Sequence, residues 1–377
     1  MARFDVGAIT AVRATVVVAV VLAGCSESSP PASRSLHSVL GADDGQQRGF
    51  AVADRAVDFA FPQDHGTHSA YRSEWWYLTA VVAADPGREF GVQFTLFRQG
   101  IEPQPDVDVD ADADGAAAWR TGQVYMGHLA VADVAHRRHL DDERFSRGHA
   151  ALAGVDAEPF RAHIDGWSLS STTADFWPLR LEAATPAFRV DLTLTGTRPF
   201  VAQGDNGLSR KGPRNASHYY SAPRIEAAGQ VAIGGETHAV TGNAWLDREW
   251  STSVLAAEYA GWDWFALHLD DGRDLMLYRL RRVDGRIDEY NAGTLSFADA
   301  PPRKLGAGDF TLTAKEHWRG WPVAWSLGLG DNERFVVRAA FEDQVMDTSV
   351  RYWEGVAYLE DEDGRRVGRG YMELTGY

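Results

Sequence analysis

Apolar and polar residues alternate over short stretches along most of the chain. In the segment 89–98 the alternation places one apolar set on a single face, namely Phe90, Val92, Phe94 and Leu96. Residues 262–269 and 274–281 lie on either side of Asp271-Gly272, a pair typical of a two-residue hairpin turn. A period of two is typical of strands, and no long stretch shows the helical period of 3.6 residues. We therefore predict an all-β fold, either a sandwich or a barrel.

The N-terminal segment has a different pattern, with an apolar run over residues 14–23 that follows two arginines. About ten apolar residues are too few to span a bilayer as a helix, but they suit the core of a signal peptide. Leu22-Ala23-Gly24-Cys25 resembles the bacterial lipobox. We expect residues 1–24 to be a cleaved signal peptide and residues 25–49 to be a flexible tether that begins at a lipid-modified Cys25. A plain secretory signal that contains a cysteine is the alternative.

This N-terminus predicts an exported protein anchored by its lipid to the cell envelope, at the outer membrane and facing the periplasm. Cys25 is the single cysteine, so no disulfide can form within one chain. The whole chain has a formal net charge of -16, and residues 1–24 carry two arginines and one aspartate, which leaves about -17 on the mature chain. Nucleic-acid binding depends on neutralising phosphates with Lys and Arg, so we expect no nucleic-acid partner. The length of 377 residues suggests two domains, which we place at 50–245 and 246–377.

Several familiar catalytic and metal-binding motifs are missing. Ser209 lacks the second glycine of a nucleophile elbow, and no P-loop, dinucleotide fingerprint or H-E-x-x-H motif occurs. His65 and His68 form only a loose pair. The Asp-rich segment 106–114 resembles half of a calcium loop, but Thr121 occupies the position of the bidentate glutamate, so we favour a solvated hairpin tip. We expect neither a metal nor a soluble cofactor.

The remaining candidate chemistry consists of acids placed among aromatic residues. Alternation puts Trp245, Asp247 and Glu249 on one face of a strand. A carboxyl group among aromatic rings has a raised pKa, as a general acid requires at neutral pH, and the rings can stabilise a developing cation. Ion pairing of the two acids and core packing of the tryptophan are the alternative interpretation.

The same alternation groups two further sets. His218 and Tyr220 share one face of the segment 217–222, and Trp262 and Trp264 share another with His268. Asp263 then lies on the opposite face, beside Phe265 and Leu267. Structural roles in the core or in backbone hydrogen bonding remain the alternative for each of these residues.

Seven segments together resemble the lipocalin-like family of carotenoid 1,2-hydratase and AttH, over a match from about Phe61 to the last residue. They are YRSEWWY at 71–77, GDNGLSRK at 204–211, ASHYYS at 216–221, AWLDREW at 244–250, GWDWF at 261–265, YWEG at 352–355 and ELTGY at 373–377. The resemblance implies two lipocalin-like antiparallel β-barrel or sandwich domains packed together, with an apolar cavity near their junction. Known members hydrate the terminal double bond of acyclic carotenoids.

In the hydratase branch the suspected acid is the aspartate of a Tyr-x-Asp motif, aided by a His-x-Trp pair. The matching positions here are Trp245-x-Asp247 and His218-x-Tyr220. The resemblance therefore implies that Asp247 protonates an alkene, that Trp245 and Tyr220 face the resulting cation, and that His218 orients or deprotonates water. Glu249 is the reserve acid. The exchanged aromatic residues make the chain look closer to AttH than to the pigment enzyme.

We expect the ligand to be a long hydrophobic small molecule, such as an isoprenoid, a carotenoid-like polyene or a lipid. The residues expected to contact it are Trp262, Trp264, Asp263, Trp76, Tyr77, Glu74, Tyr352 and Glu354. Whether Glu74 and Glu354 line the cavity or join strands is open at this point. If the protein is an enzyme, it is a hydro-lyase. The alternatives are a non-catalytic periplasmic carrier that works with an ABC transporter and, last, a hydrolase, for which no activated nucleophile can be named.

Overall fold

The computed structural model describes residues 49–103, 122–148, 152–252 and 255–377. The expected signal peptide, Cys25, almost all of the tether and the Asp-rich segment lie outside these residues, so the expectations for them stay predictions. One short 3-10 helix, Gln63–His65, is present, and the described ranges contain no α-helix. Across those ranges, no helix has the length and apolar composition needed to span a bilayer.

The described chain forms two antiparallel sheets, and the first contains thirteen strands. Its strands are β1 (Ser73–Ala84), β2 (Arg88–Gly100), β3 (Gln123–Asp133), β4 (Arg138–Arg147), β5 (Ala153–Ala157), β6 (Phe160–Ile164), β7 (Trp167–Ser171), β8 (Leu179–Ala184), β9 (Phe188–Gly196), β10 (Val201–Ala202), β11 (Leu208–Arg210), β12 (Ala216–Ile233) and β13 (Glu236–Ser251). The order is β4-β3-β2-β1-β13-β12-β9-β8-β7-β6-β5, and β10 and β11 also pair with β12. The sheet curls until β6 contacts β2, β3 and β4.

The second sheet contains ten strands. They are β14 (Tyr259–Leu269), β15 (Asp274–Arg282), β16 (Ala292–Ser296), β17 (Arg303–Leu305), β18 (Phe310–Trp318), β19 (Trp321–Leu329), β20 (Glu333–Ala339), β21 (Val345–Met346), β22 (Tyr352–Glu360) and β23 (Arg366–Leu374). The order is β17-β16-β15-β14-β23-β22-β20-β19-β18, with β21 beside β22. The chain passes from the first sheet to the second between Ser251 and Tyr259, whereas the domain boundary at 245/246 stays a prediction.

Each curled sheet encloses its own apolar core. The face predicted for β2 is confirmed, because Phe90, Val92, Phe94 and Leu96 are all buried in the first core. The predicted hairpin is also confirmed, since β14 and β15 pair antiparallel around Asp271-Gly272. The structure therefore confirms the predicted all-β fold and the two lipocalin-like sheets expected from the resemblance.

A third apolar cluster joins the outer faces of the two sheets. It includes Tyr77 and Trp245 of the first sheet and Trp264, Val356 and Tyr371 of the second. Side chains of the second sheet pack directly on the backbone of the first at Gly91, where a Cβ would overlap the Tyr371 hydroxyl and Val356 Cγ2. Successive side chains of a strand point to opposite faces of its sheet. The residues on these outer faces therefore alternate with the residues that point into the inner cores.

Candidate functional site

A cavity lies between the outer faces of the two sheets. Its empty space amounts to about 680 Å³, including the mouth that opens to solvent. The residues that line it are Trp75, Tyr77, Phe97, Lys211, Tyr219, Asp247, Glu249, Leu255, Trp262, Trp264, Tyr278, Leu280 and Glu373. A predominantly apolar and aromatic lining with a few polar groups is typical of small-molecule sites.

Asp247 is the most closely held acid in the wall of the cavity. It is 3% exposed, and three neutral groups donate hydrogen bonds to it. The Tyr219 hydroxyl lies 2.7 Å from Oδ2, while the Trp245 indole nitrogen and the Ser221 hydroxyl lie 2.7 and 2.5 Å from Oδ1. Burial raises the pKa of Asp247 to about 7, although the three hydrogen bonds act in the opposite direction. The carboxyl group is therefore oriented and partly protonated near neutral pH.

Glu249 lies two residues further along β13 on the same face and is paired with a base. The Lys211 ammonium and the Ser217 hydroxyl both bind its Oε1. The same ammonium lies 5.2 Å from the centre of the Trp75 ring. Glu249 therefore holds the cation of the cavity wall in place.

The second sheet contributes two tryptophans and another acid to the cavity. Trp264 packs edge-on against Tyr77, with ring centroids 5.1 Å apart. The Trp262 indole nitrogen donates to Glu373 Oε1 at 2.6 Å. Burial raises the pKa of Glu373 to about 7, opposed by hydrogen bonding that includes the Trp262 indole. The cavity thus has a partly protonated carboxyl group on each of its two walls.

Behind this wall, Glu354 is completely buried and accepts a hydrogen bond from the Tyr77 hydroxyl at 2.6 Å. Burial and the adjacent Glu373 raise the pKa of Glu354 well above its usual range. Tyr352 lies on the same face of β22, where its hydroxyl is 2.7 Å from His128 Nδ1. Both residues support the cavity from behind its lining.

The structure does not bring His218 and Tyr220 to Asp247, so the predicted joint site is wrong in this respect. Register pairs His218 with Trp250 and Tyr220 with Arg248, on the opposite face of the first sheet. There the Tyr220 hydroxyl contacts His65 Nδ1 at 2.7 Å. Tyr219 and Ser221, the alternate residues of the same strand, occupy the cavity side instead.

Three of the expected ligand contacts also face away from the cavity. Glu74 is buried on the inner face of the first sheet in an ion pair with Arg98 and Arg248, so it joins strands. Trp76 lies on that inner face, with the Arg248 guanidinium 3.9 Å from its ring centre. Asp263 points into the second core. There it binds the nearby Arg279 guanidinium at 2.7 Å, together with Arg281 and Tyr377.

Of the residues chosen from the sequence, Asp247, Glu249, Tyr77, Trp262 and Trp264 line the cavity. Trp245 orients Asp247, and Glu354 and Tyr352 lie behind the wall. Sequence reasoning missed Tyr219, Ser221, Lys211, Trp75 and Glu373. Each lies within or beside a segment of the family resemblance, but no single-sequence signal shows which of the alternate residues faces the cavity.

No three His, Cys, Asp or Glu side chains are grouped as metal ligands in the part of the chain that the structure describes. The cavity has the groups needed to transfer a proton to a ligand that lies beside aromatic rings. A protonated Asp247 can donate to an apolar ligand, and the rings of Trp264 and Tyr77 can stabilise positive charge that develops on it.

Comparison with known proteins places this geometry in context. A family model described as AttH-like matches residues 52–377. The crystal structure of an AttH from Nitrosomonas europaea is 31% identical, covers 87% of this chain and 99% of that chain, and has a TM-score of 0.74. None of the curated proteins matches the chain.

Two more distant structures share the fold. Kievitone hydratase from Nectria haematococca is 14% identical over 87% of this chain and 96% of that chain, with a TM-score of 0.63. CghA, solved with Sch210972, is 11% identical over 88% of this chain and 96% of that chain, with a TM-score of 0.53. At these identities the likeness concerns the fold.

Proposed function

Because the chain belongs to the AttH-like family, we propose that it holds a long apolar molecule in the cavity between its sheets and adds water to an isolated carbon–carbon double bond of that molecule. Asp247 carries this proposal. It is a buried carboxyl group with a pKa of about 7, fixed by three hydrogen bonds in the wall of an aromatic cavity. The shared fold with an enzyme named as a hydratase supports the same reaction class.

The reaction begins with proton transfer from Asp247 to the less substituted carbon of the alkene. The adjacent carbon becomes a cation, and the nearby ring faces of Trp264 and Tyr77 stabilise it. The anion left on Asp247 is stabilised by the three groups that already donate to its oxygens. Water then attacks the cation and gives an alcohol.

The charges in the cavity favour a neutral substrate. Lys211 is the one basic side chain among the described residues that line it, and Glu249 neutralises that base. Asp247 and Glu373 add negative charge when they are ionised, so a phosphate or carboxylate group on the ligand would be repelled. A neutral isoprenoid, polyene or lipid fits this environment better than a prenyl diphosphate.

A non-catalytic carrier is the second candidate, and the predominantly aromatic and apolar lining favours it. Such a cavity can hold a lipid or polyene without any reactive group. In either role we propose that the protein is exported and lipid-anchored through Cys25, so that the cavity works close to a membrane. In the carrier role an ABC transporter is the proposed partner.

The two functions differ in their response to Asp247→Asn, which keeps the shape of the side chain and removes its acid. Purified full-length protein is incubated in ¹⁸O-labelled water with squalene and, separately, with a lipid extract of the producing organism. We expect mass spectrometry to detect a product that has gained one labelled water, at a rate that falls by roughly 10²–10⁴-fold in the variant.

Glu236→Gln, on the exposed end of β13, is the control and should react like the unmodified chain. A lipid that both Asp247→Asn and the unmodified chain retain equally and leave unchanged would contradict the hydratase and establish the carrier.

A further inference from the structure

Glu354 and Glu373 are direct cross-strand neighbours on β22 and β23. Both side chains point from the second sheet toward the first, where Tyr77 binds Glu354 and the cavity begins. Side chains directly opposite in an antiparallel pair have Cβ atoms about 5 Å apart, so the two carboxyl groups are neighbours. Two carboxyl groups this close resist ionising together.

The surroundings of the pair are unequal. Glu354 is completely buried, and among the described residues it receives one hydrogen bond, from the Tyr77 hydroxyl, and no basic side chain pairs with it. Glu373 lines the cavity and accepts a hydrogen bond from the Trp262 indole. A buried carboxylate with one donor and no cation is costly, so the proton of the pair belongs on Glu354 and the negative charge on Glu373.

Among the described residues, Lys211 and Glu249 act on this pair from the cavity side. Lys211, which precedes β12, lowers the pKa of Glu373, whereas Glu249 on β13 raises it. Tyr77 on β1 faces Glu354 as a neutral donor. Asp247 on the opposite wall is the acid and His218 lies outside the cavity. Glu249 is already bound by Lys211 and Ser217, so Glu373 is the carboxyl group of the cavity lining that we assign as the base.

We propose that Glu373 accepts the proton of the attacking water and that Glu354 is a positioning residue, which stays protonated and directs its Oε2–H toward Glu373. This inference rests on the proposed hydratase function. It divides the chemistry between the two sheets, with the acid on the first sheet and the base on the second.

The atoms balance over one turnover. Asp247 gives its proton to the alkene carbon while the π electrons form the new C–H bond. A water lone pair then forms the C–O bond, and the proton released from that water moves to the Glu373 carboxylate. Glu354 keeps its proton throughout. Because the cavity opens to solvent, water can return a proton to Asp247 and remove one from Glu373 before the next turnover.

The protonation of the pair is tested without any substrate. A protonated carboxyl group gives an infrared C=O band that a carboxylate lacks, and Asp247 is ionised well above pH 7. At pH 9 we expect the full chain to retain one buried protonated-carboxyl band, which Glu354→Gln removes and Glu373→Gln leaves in place. Absence of the band in the unmodified chain, or its persistence in Glu354→Gln, would overturn the assignment.

The base is tested with squalene in water labelled with both ²H and ¹⁸O. Glu373→Gln should hydrate at least 100-fold more slowly than the unmodified chain, yet still exchange deuterium into the alkene, because protonation by Asp247 is reversible and only the water step is lost. Glu354→Gln supplies a neutral donor in place of the protonated acid, so we expect hydration within about 5-fold of normal. Glu354→Leu, without a donor, should lose it.

The possible failures are distinguishable. If Glu373→Gln hydrates as fast as the unmodified chain, or if Glu354→Gln abolishes the reaction while circular dichroism shows a folded protein, this inference is overturned and the hydratase function stands. If neither deuterium nor ¹⁸O enters squalene with any form of the protein, the proposed hydration of such alkenes fails, and the assigned base fails with it.

Discussion

Glu74 and Asp247 lie on the adjacent strands β1 and β13, on opposite faces of the first sheet, and both are buried. Glu74 faces inward and binds Arg98 and Arg248. Despite burial, the two guanidinium groups hold the pKa of Glu74 well below its usual range. Asp247 faces the cavity and has only neutral donors, so burial dominates and raises its pKa to about 7.

The comparison shows that burial alone does not decide the chemistry of a carboxyl group. The inner face supplies fixed cations and makes an acid into a permanent anion that joins strands. The outer face supplies hydroxyl and indole groups and leaves an acid able to exchange its proton near neutral pH. A single sheet thus separates a structural ion cluster from an aromatic cavity with a titratable acid by the alternation of its side chains.

The largest effect we expect is a loss of stability in the variant Glu74→Gln, which removes the anion from the inner face of the first sheet. Arg98 and Arg248 are 0% and 1% exposed, so the substitution leaves both guanidinium groups buried without a countercharge. We expect a loss of roughly 3–5 kcal/mol in the free energy of unfolding, measured by urea denaturation.

Glu316→Gln is the control, because Glu316 pairs with Arg338 on the surface. It should cost at most about 1 kcal/mol. Equal losses in Glu74→Gln and the control would show that the inner ion cluster does not set the two faces apart.

We expect Asp247 to have a smaller effect, which appears as a change of stability with pH. The pKa of Asp247 rises from 3.8 to about 7 on folding, so its contribution is fully present below pH 4 and is lost as the pH rises through 7. The loss is at most about 4 kcal/mol at 1.36 kcal/mol per pKa unit. Urea denaturation at pH 5 and pH 9 should show a smaller fall for Asp247→Asn than for the unmodified chain.

Glu74 changes the stability with pH in the opposite direction. Because its pKa is lowered, its contribution is present above pH 4.5 and is lost as the solution becomes more acidic. If the unmodified chain and Asp247→Asn lost the same free energy between pH 5 and pH 9, the raised pKa of Asp247 would be refuted.

Much of the fold could be predicted because local alternation determines it. The faces of β2, the hairpin at Asp271-Gly272 and the shared face of Asp247 and Glu249 all follow from a period of two. The family resemblance added the pair of lipocalin-like sheets and an apolar cavity near their junction. These features depend on short stretches or on long ordered motifs, both of which a single sequence displays.

The composition of the site could not be predicted in the same way, because it depends on the register between paired strands, which alternation along one strand does not show. Alternation shows that His218 and Tyr220 share a face, but a shift of one residue exchanges that face for the one with Tyr219 and Ser221. β12 and β13 are consecutive strands, but their register shifts at an irregularity between Ala222 and Ile225, and this shift decides which residues of β12 share a face with Asp247. Glu373 escaped notice for the same reason, since its partners are on β14 and β22.

The smallest expected effect tests that register directly, by comparing Tyr219→Phe with Tyr220→Phe. The first variant removes the 2.7 Å hydrogen bond to Asp247 Oδ2, which favours the anion, so the pKa of Asp247 should rise by roughly one unit. The second removes a hydroxyl that contacts His65 on the other face and should leave this pKa unchanged. Carbon-13 NMR titration of labelled aspartate, assigned with Asp247→Asn, measures both. An equal rise in the two variants would mean that the sheet does not separate the faces, because adjacent residues of one strand would then reach the same carboxyl group.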